Sequence, residues 1–150
     1  ELANRANALG IGVLVGWGPT RNPAQNGASV GPPDKMLMGH PIKMGYHSDG
    51  GDITVINAWL IFNTMMTGKN LAGQQILGDQ NLTRQETLQL ATRANKWFIW
   101  EDDLGSIEVG NHADLAVLDR DVLTVPEEDI KRTRSLLTVV GGKVVHNALP

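Results

Sequence analysis

The chain has no cysteine, so acid–base, nucleophilic and metal chemistry fall to its four histidines and sixteen carboxylates. One place sets two of these groups in a usable order. A strand candidate, Ile42 to Ser48, leads directly into Asp49, and Gly50 and Gly51 follow. Two glycines there let backbone or ligand approach the carboxylate closely. A carboxylate so placed can take and return a proton. A loop aspartate can equally serve as a turn or cap residue. His47 stands two residues earlier and falls on the same side of a strand as Asp49. Two readings stand for it: a contact to substrate or to Asp49, or a hydrogen-bonded packing histidine. Ser48 points the other way and reads as structural.

Other candidates carry less pattern. Asp52 could pair with Asp49 for acid–base work, but reads better as a cap for a helix starting near Thr54. Trp17 ends an earlier strand candidate and either walls a substrate pocket or fills core or rim. His40 stands beside Pro41 in a turn, and His112 and His146 read as surface residues. No His-x-His occurs, nor a histidine pair at i, i+4. A hydrolytic metal site needs about three or more converging His or carboxylate ligands. Trp97, Phe98 and Trp100 read as an apolar seam between two domains.

The elements that must position these groups alternate in type. Glu1–Leu9 reads as helix, with Leu2, Ala3, Ala6 and Leu9 on one face. It has no Ser, Thr or Asp cap ahead of it. Gly10–Gly16 is a short apolar run between glycines, expected to be a strand buried on both faces. The Asn-, Gly- and Pro-rich stretch Thr20 to Pro33 reads as loop. Asp34–Met38 allows one or two helical turns capped by Gly39. Thr54–Thr67 predicts a helix with Ile56, Trp59, Leu60, Asn63 and Met66 inward and Gly68 closing it. Thr83-Arg84-Gln85-Glu86 is a capping box for a helix running to about Trp97, with Leu88, Ala91, Ala94 and Asn95 on one side. This order is βα repetition.

From Gly105 the period changes to two. Ser106–Glu108, Asp114–Leu118, Ser135–Val140 and Lys143–His146 read as strands, with Gly141-Gly142 as a type I′ hairpin turn. Between them, Pro126 to Lys131 reads as a short helix, proline first and acids in the first turn. A domain boundary near Glu101 follows, dividing the chain into 1–100 and 101–150.

Net charge is −3, which attracts neither nucleic acid nor an anionic membrane. No apolar run approaches the roughly 20 residues that span a bilayer. Absence of cysteine fits a cytosolic protein.

The wording of the second half narrows the reading further. Leu104-Gly105-Ser106-Ile107-Glu108-Val109-Gly110-Asn111-His112-Ala113-Asp114-Leu115-Ala116-Val117-Leu118-Asp119 resembles the closing segment of metal-dependent amidohydrolases. With Val122 to Pro126 and Leu137 to Val145 added, the run is similar to the branch that includes formamide deformylase-like enzymes. The resemblance covers most of the chain and is strongest from Lys43 onward.

It implies an α/β fold: the last two βα units of a TIM-like (β/α)₈ barrel over 1–100, and part of a small β-sandwich over 101–150. A whole barrel takes about 200–250 residues or more, so 150 residues imply the C-terminal part of a larger protein. The rest of the barrel, from an upstream segment or a companion chain, is then a required partner, and a homo-oligomer is compatible with it.

The implied activity is hydrolysis of a C–N bond in a small amide, formamide or cyclic amide. Asp49 matches the aspartate at the end of the family's last barrel strand, which touches the metal and shuttles the proton of the attacking water. The metal is divalent, zinc before others, one ion or two. Most of its ligands would lie outside this chain, because the family takes His-x-His from the first strand and further ligands from middle strands. His47 and Trp17 stay candidate substrate contacts on their own positions, since neither matches the family pattern. The family usually has a small residue or Thr near His47 and Gln-Pro where this chain has Trp17-Gly18-Pro19. Two other functions fit the same pattern: a structural or regulatory subunit, or a hydrolase of C–O or C–halogen bonds.

The strands Gly10–Gly16 and Ile42–Ser48 would leave unpaired edges and bare faces if nothing covered them. Residues 1–150 expressed alone are therefore expected to aggregate or to bind a hydrophobic dye. A cooperative unfolding transition of a soluble monomer would contradict this.

Overall fold

A computed structural model describes residues 1–16, 20–24, 30–51 and 56–150. The elements run α1 (Leu2–Ala8), β1 (Val13–Val15), α2 (Asp34–Met38), β2 (Met44–Tyr46), α3 (Ala58–Thr67), α4 (Arg84–Gln89), a π-helical turn (Leu90–Ala94), α5 (Lys96–Ile99), β3 (Leu115–Leu118), α6 (Glu127–Ile130), β4 (Ser135–Val140) and β5 (Lys143–Asn147). The class is mixed α/β. Among the described residues no helix is long and apolar enough to cross a membrane.

β1 and β2 pair in parallel, Val13 with Met44, Leu14 with Gly45 and Val15 with Tyr46. Both strands are shorter than their apolar runs. The turn Leu9-Gly10 precedes β1, with Gly10 at φ 69°, and His40-Pro41 precedes β2. β1 is covered on one face rather than both: Val15 is buried while Leu14 is 43% exposed.

α3 starts later than its apolar pattern suggests. Asn57 caps it, its Oδ1 accepting from Trp59 N at 3.0 Å. That takes the role expected of Asp52, which lies outside the described residues. Gly68 closes the helix in the left-handed conformation, φ 73°. The expected inward stripe is replaced by burial all round from Ile61 to Thr67, while Ile56 stands 81% exposed ahead of the helix. The cause is enclosure: α4 and α6 pack on α3, and the following loop folds back, Ile76 N donating to Gly68 O and Leu82 N to Met65 O, both at 2.8 Å. Val15, Met44, Ile61, Phe62, Met65, Met66, Leu82, Leu90 and Ile130 form one core. Each such side chain contributes about 1.5–3 kcal/mol through burial.

Thr83 and Glu86 form both bonds of the capping box. Lys35 on α2 also bonds Glu86, at 2.7 Å, tying α2 to α4. The helix does not continue evenly to Trp97. It widens into the π turn, re-forms as α5 and stops at Trp100 in the left-handed conformation, φ 57°. The aromatic seam differs from expectation accordingly. Phe98 and Trp97 lie against Gly12, where an added Cβ would come within 2.6–2.8 Å of their rings, and Trp100 is 90% exposed. The aromatics therefore seal α5 onto β1 and β2. Gly39 likewise keeps ordinary helical angles, φ −75°, and α2 ends with a tight Gly39 N to Met36 O bond of 3.1 Å.

The second sheet is antiparallel in the order β3-β4-β5. Gly141 and Gly142 both take positive φ, 55° and 77°, as a type I′ turn needs. Val140 pairs with Lys143 and Val139 with Val144; a bulge then sets Thr138 against His146. Ser106–Glu108 forms no strand. Asn111 Nδ2 donates to Ser106 O and Oγ, and such local bonds compete with a ladder.

Asp34 opens α2 yet is only 1% exposed, and its Oδ1 finds no hydrogen-bond partner among the described residues. Burial pushes its carboxyl up from 3.8 to about 7. Between these values the unfolded chain has lost a proton that the folded chain keeps. Stability conferred by the neutral carboxyl is thus fully present below pH 3.8 and lost as pH rises through 7. The slope is about 1.4 kcal/mol per pH unit at most. Asp34→Asn removes this loss. Its melting temperature should exceed the parent's at pH 7.5, with the gap closing near pH 4. A gap independent of pH would show that Asp34 ionises normally in the fold.

Candidate active site

The site is built on the C-terminal end of β2. Alternate residues of this segment bond to β1: Val13 N donates to Lys43 O at 2.8 Å, and His47 N donates to Val15 O at 3.0 Å. Tyr46 turns its main-chain groups to the opposite edge. There the Asn95 carboxamide meets both. Tyr46 N donates to Asn95 Oδ1 at 2.7 Å, and Asn95 Nδ2 donates to Tyr46 O at 3.0 Å. A side-chain amide thus satisfies a peptide donor and acceptor that a neighbouring strand would otherwise pair.

Two glycines permit the close approach. An added Cβ on Gly45 would collide with Asn95 Oδ1 and lie 2.6 Å from the Phe98 ring. One on Gly16, at the end of β1, would collide with the carbonyl oxygen of His47. The Tyr46 ring packs edge-on to Phe62, centroids 4.9 Å apart. Burial pushes its phenol up to about 12, against a smaller opposing pull from the Ser48 hydroxyl. Tyr46 therefore stays neutral at ordinary pH and serves as a packing group.

Past the strand the chain turns sharply. Gly50 N donates to Ser48 Oγ at 3.1 Å, so Ser48 shapes the turn. Asp49 takes a left-handed backbone, φ 46°, which aspartate tolerates better than most residues. This conformation brings its side chain back to His47: Nδ1 and Asp49 Oδ1 are 2.8 Å apart. His47 and Asp49 side chains are 32% and 45% exposed, so the pair is open to a reactant. With Nδ1 protonated, the ring donates to the carboxylate and keeps Nε2 as an acceptor.

Of the sequence candidates, His47 and Asp49 are brought together, while Trp17 and Asp52 lie outside the described residues. His40 Nδ1 is 3.2 Å from Asn4 Oδ1, and His112 Nε2 is 3.2 Å from Asp103 Oδ2. His146 lies exposed on β5. Among the described residues no group of three or more His, Cys, Asp or Glu could hold a metal ion. A cavity of about 520 Å³ opens elsewhere, between Trp59, Phe62, Leu88 and Ala91 on one side and β3 on the other. The clamp residue Asn95 is what sequence reasoning missed. Its signal was a lone amide on the same helix side as Leu88, Ala91 and Ala94.

A family model described as "Amidohydrolase family" matches residues 3–146. The chain belongs to the amidohydrolase family. Neither the curated proteins nor the solved structures provide a match to it. Membership makes this amidohydrolase a hydrolase, and the open His47–Asp49 pair is a candidate site among the described residues.

Gly16→Ala tests the local geometry. Main-chain atoms of His47 cannot yield to the new methyl, so β1 and the β2 end must part. A cost of about 1–3 kcal/mol is expected, as for other overpacked sites. A parental melting temperature would mean that this contact is not kept in solution.

Proposed function

We propose that this chain is the aspartate-bearing part of a metal-dependent amidohydrolase. Its substrate is a small amide, formamide or cyclic amide, in the manner of the formamide deformylase-like branch. The observation that carries the reading is the His47–Asp49 pair at the C-terminal end of a parallel strand. That is where a (β/α)₈ barrel presents its catalytic groups. Two parallel strands do not close a barrel, so β1 and β2 are read as its last two strands and residues 1–100 as its C-terminal part. Residues 101–150, with β3 to β5, are read as part of the small β-sandwich. The remaining strands come from an upstream segment or a companion chain.

The donor set fits a metal in part. Asp49 offers a partly exposed carboxylate oxygen, and His47 already engages the other end of that contact. One carboxylate does not complete a centre of about four ligands. Asp49 is therefore the ligand this chain supplies to a divalent ion, zinc by preference, and the other ligands come from the missing strands. Such an ion supplies Lewis acidity toward water and the scissile carbonyl. The chain's own residues do the proton work. Asp49 takes a proton from the attacking water and returns it to the leaving nitrogen as the C–N bond breaks. His47 holds Oδ1 and keeps the carboxylate turned toward the strand end; Nε2 is left for a substrate contact. Trp17, which lies outside the described residues, is proposed as a second substrate contact.

Asp49→Asn in the complete protein keeps size and removes basicity. With formanilide, acetanilide and hydantoin as representative substrates, turnover should fall about 10²–10⁴-fold while melting behaviour stays close to the parent's. Near-parental hydrolysis by the Asn variant would remove Asp49 from the mechanism.

A further inference from the structure

We propose that Asn95 is a positioning residue for the His47–Asp49 pair, acting through the main chain of Tyr46. The inference rests on the hydrolytic role proposed for Asp49, and it adds a group that no sequence pattern marks for that role. β2 ends at Tyr46, so the pair sits on the three residues that follow. Among the described residues, the second edge of β2 is held at Tyr46 by the Asn95 carboxamide, which takes both polar groups of Tyr46 at 2.7 and 3.0 Å. The next residue, His47, is held to β1 through its own amide at 3.0 Å. The chain is thus tied on alternate sides at consecutive residues, immediately before the left-handed turn that folds Asp49 back onto His47. Freed on the Asn95 side, the peptide of Tyr46 could rotate, and His47 Nδ1 would lose its fixed direction toward Asp49.

Helix irregularity aims the clamp. The π turn Leu90–Ala94 inserts one residue relative to an α-helix, a rotation of about 100° for everything beyond it. That rotation lets the segment place Leu90 in the core and, five residues on, Asn95 on the strand edge. Such turns concentrate at functional sites. Gly45 completes the arrangement, since any side chain there would occupy the place of Asn95 Oδ1.

The test uses the complete protein with Asn95→Leu, similar in size but unable to make either bond, and Asn95→Asp, which keeps the acceptor for Tyr46 N. Amide exchange of residues 44–49 and steady-state kinetics on whichever of formanilide, acetanilide and hydantoin is turned over are measured together. The Leu variant should exchange about 10-fold faster at Tyr46 and His47, with β4 and β5 unchanged. Its kcat should fall about 10–100-fold with KM within about two-fold, as expected for misplaced reacting groups. Asn95→Asp should keep Tyr46 protected and lose less kcat. In an Asp49→Asn background, Asn95→Leu should cost nothing further. Unchanged exchange, unchanged kcat, or an undiminished extra loss in the Asp49→Asn background would each overturn the proposal. If Asp49→Asn alone retains turnover, the hydrolytic reading falls. Exchange at Tyr46 and His47 then still decides whether Asn95 fixes this strand end. Should Asn95→Leu not fold, Asn95→Ala, which also removes both bonds, carries the same comparison.

Discussion

A side chain at a strand end keeps a fixed direction when the peptide planes beneath it are held against rotation. In this chain that constraint is met by opposed hydrogen bonds at neighbouring residues: Tyr46 to the Asn95 carboxamide, His47 to the carbonyl of Val15. Each bond alone is worth only about 0.5–1.5 kcal/mol net. Their value is directional, because the two edges of one strand are fixed at once. Much else follows from that need. Gly45 and Gly16 are bare so that a carboxamide and a carbonyl can come close. Phe98 and Trp97 press α5 onto the strands and keep the clamp helix in place. The π turn aims Asn95 at the edge.

Beneath this the core explains why the clamp helix stays where it is. α3 is enclosed rather than merely laid on a sheet, and its residues from Ile61 to Thr67 touch strands, α4, α6 and the returning loop. The capping box of Thr83 and Glu86 starts α4 at a defined point, and Lys35 ties the same glutamate to α2. In contrast, Asp34 is buried without a partner for Oδ1 among the described residues, a local cost.

Much of this was legible in the residues. The hairpin at Gly141-Gly142 was, because two glycines with positive φ leave few alternatives. So was the capping box, a purely local pattern. Asp49 stood out as a carboxylate at a strand end before glycines. A contact between Asp49 and His47 was one of the readings open for that histidine, though on other grounds. Alternation along a strand suggested a shared side, whereas the contact arises after the strand has ended, through the left-handed turn at Asp49. The true start of α3 was hidden by apolar residues that continue the helical period ahead of Asn57. Asn95 was hidden for a different reason: its partner is main chain, which has no letter in the sequence. The irregular Ser106–Glu108 segment failed as a strand because side-chain bonds from Asn111 compete for its carbonyl.

The proposed function makes Asp49 a metal-touching carboxylate held by His47. Diffraction from crystals of the complete protein grown with zinc, with data collected at the zinc edge, tests it most directly. A carboxylate oxygen of Asp49 about 2.0–2.2 Å from the ion, with Nδ1 of His47 still hydrogen-bonded to the carboxylate, is the expected result. A zinc ion held by other residues, with Asp49 turned away from it, would contradict the account.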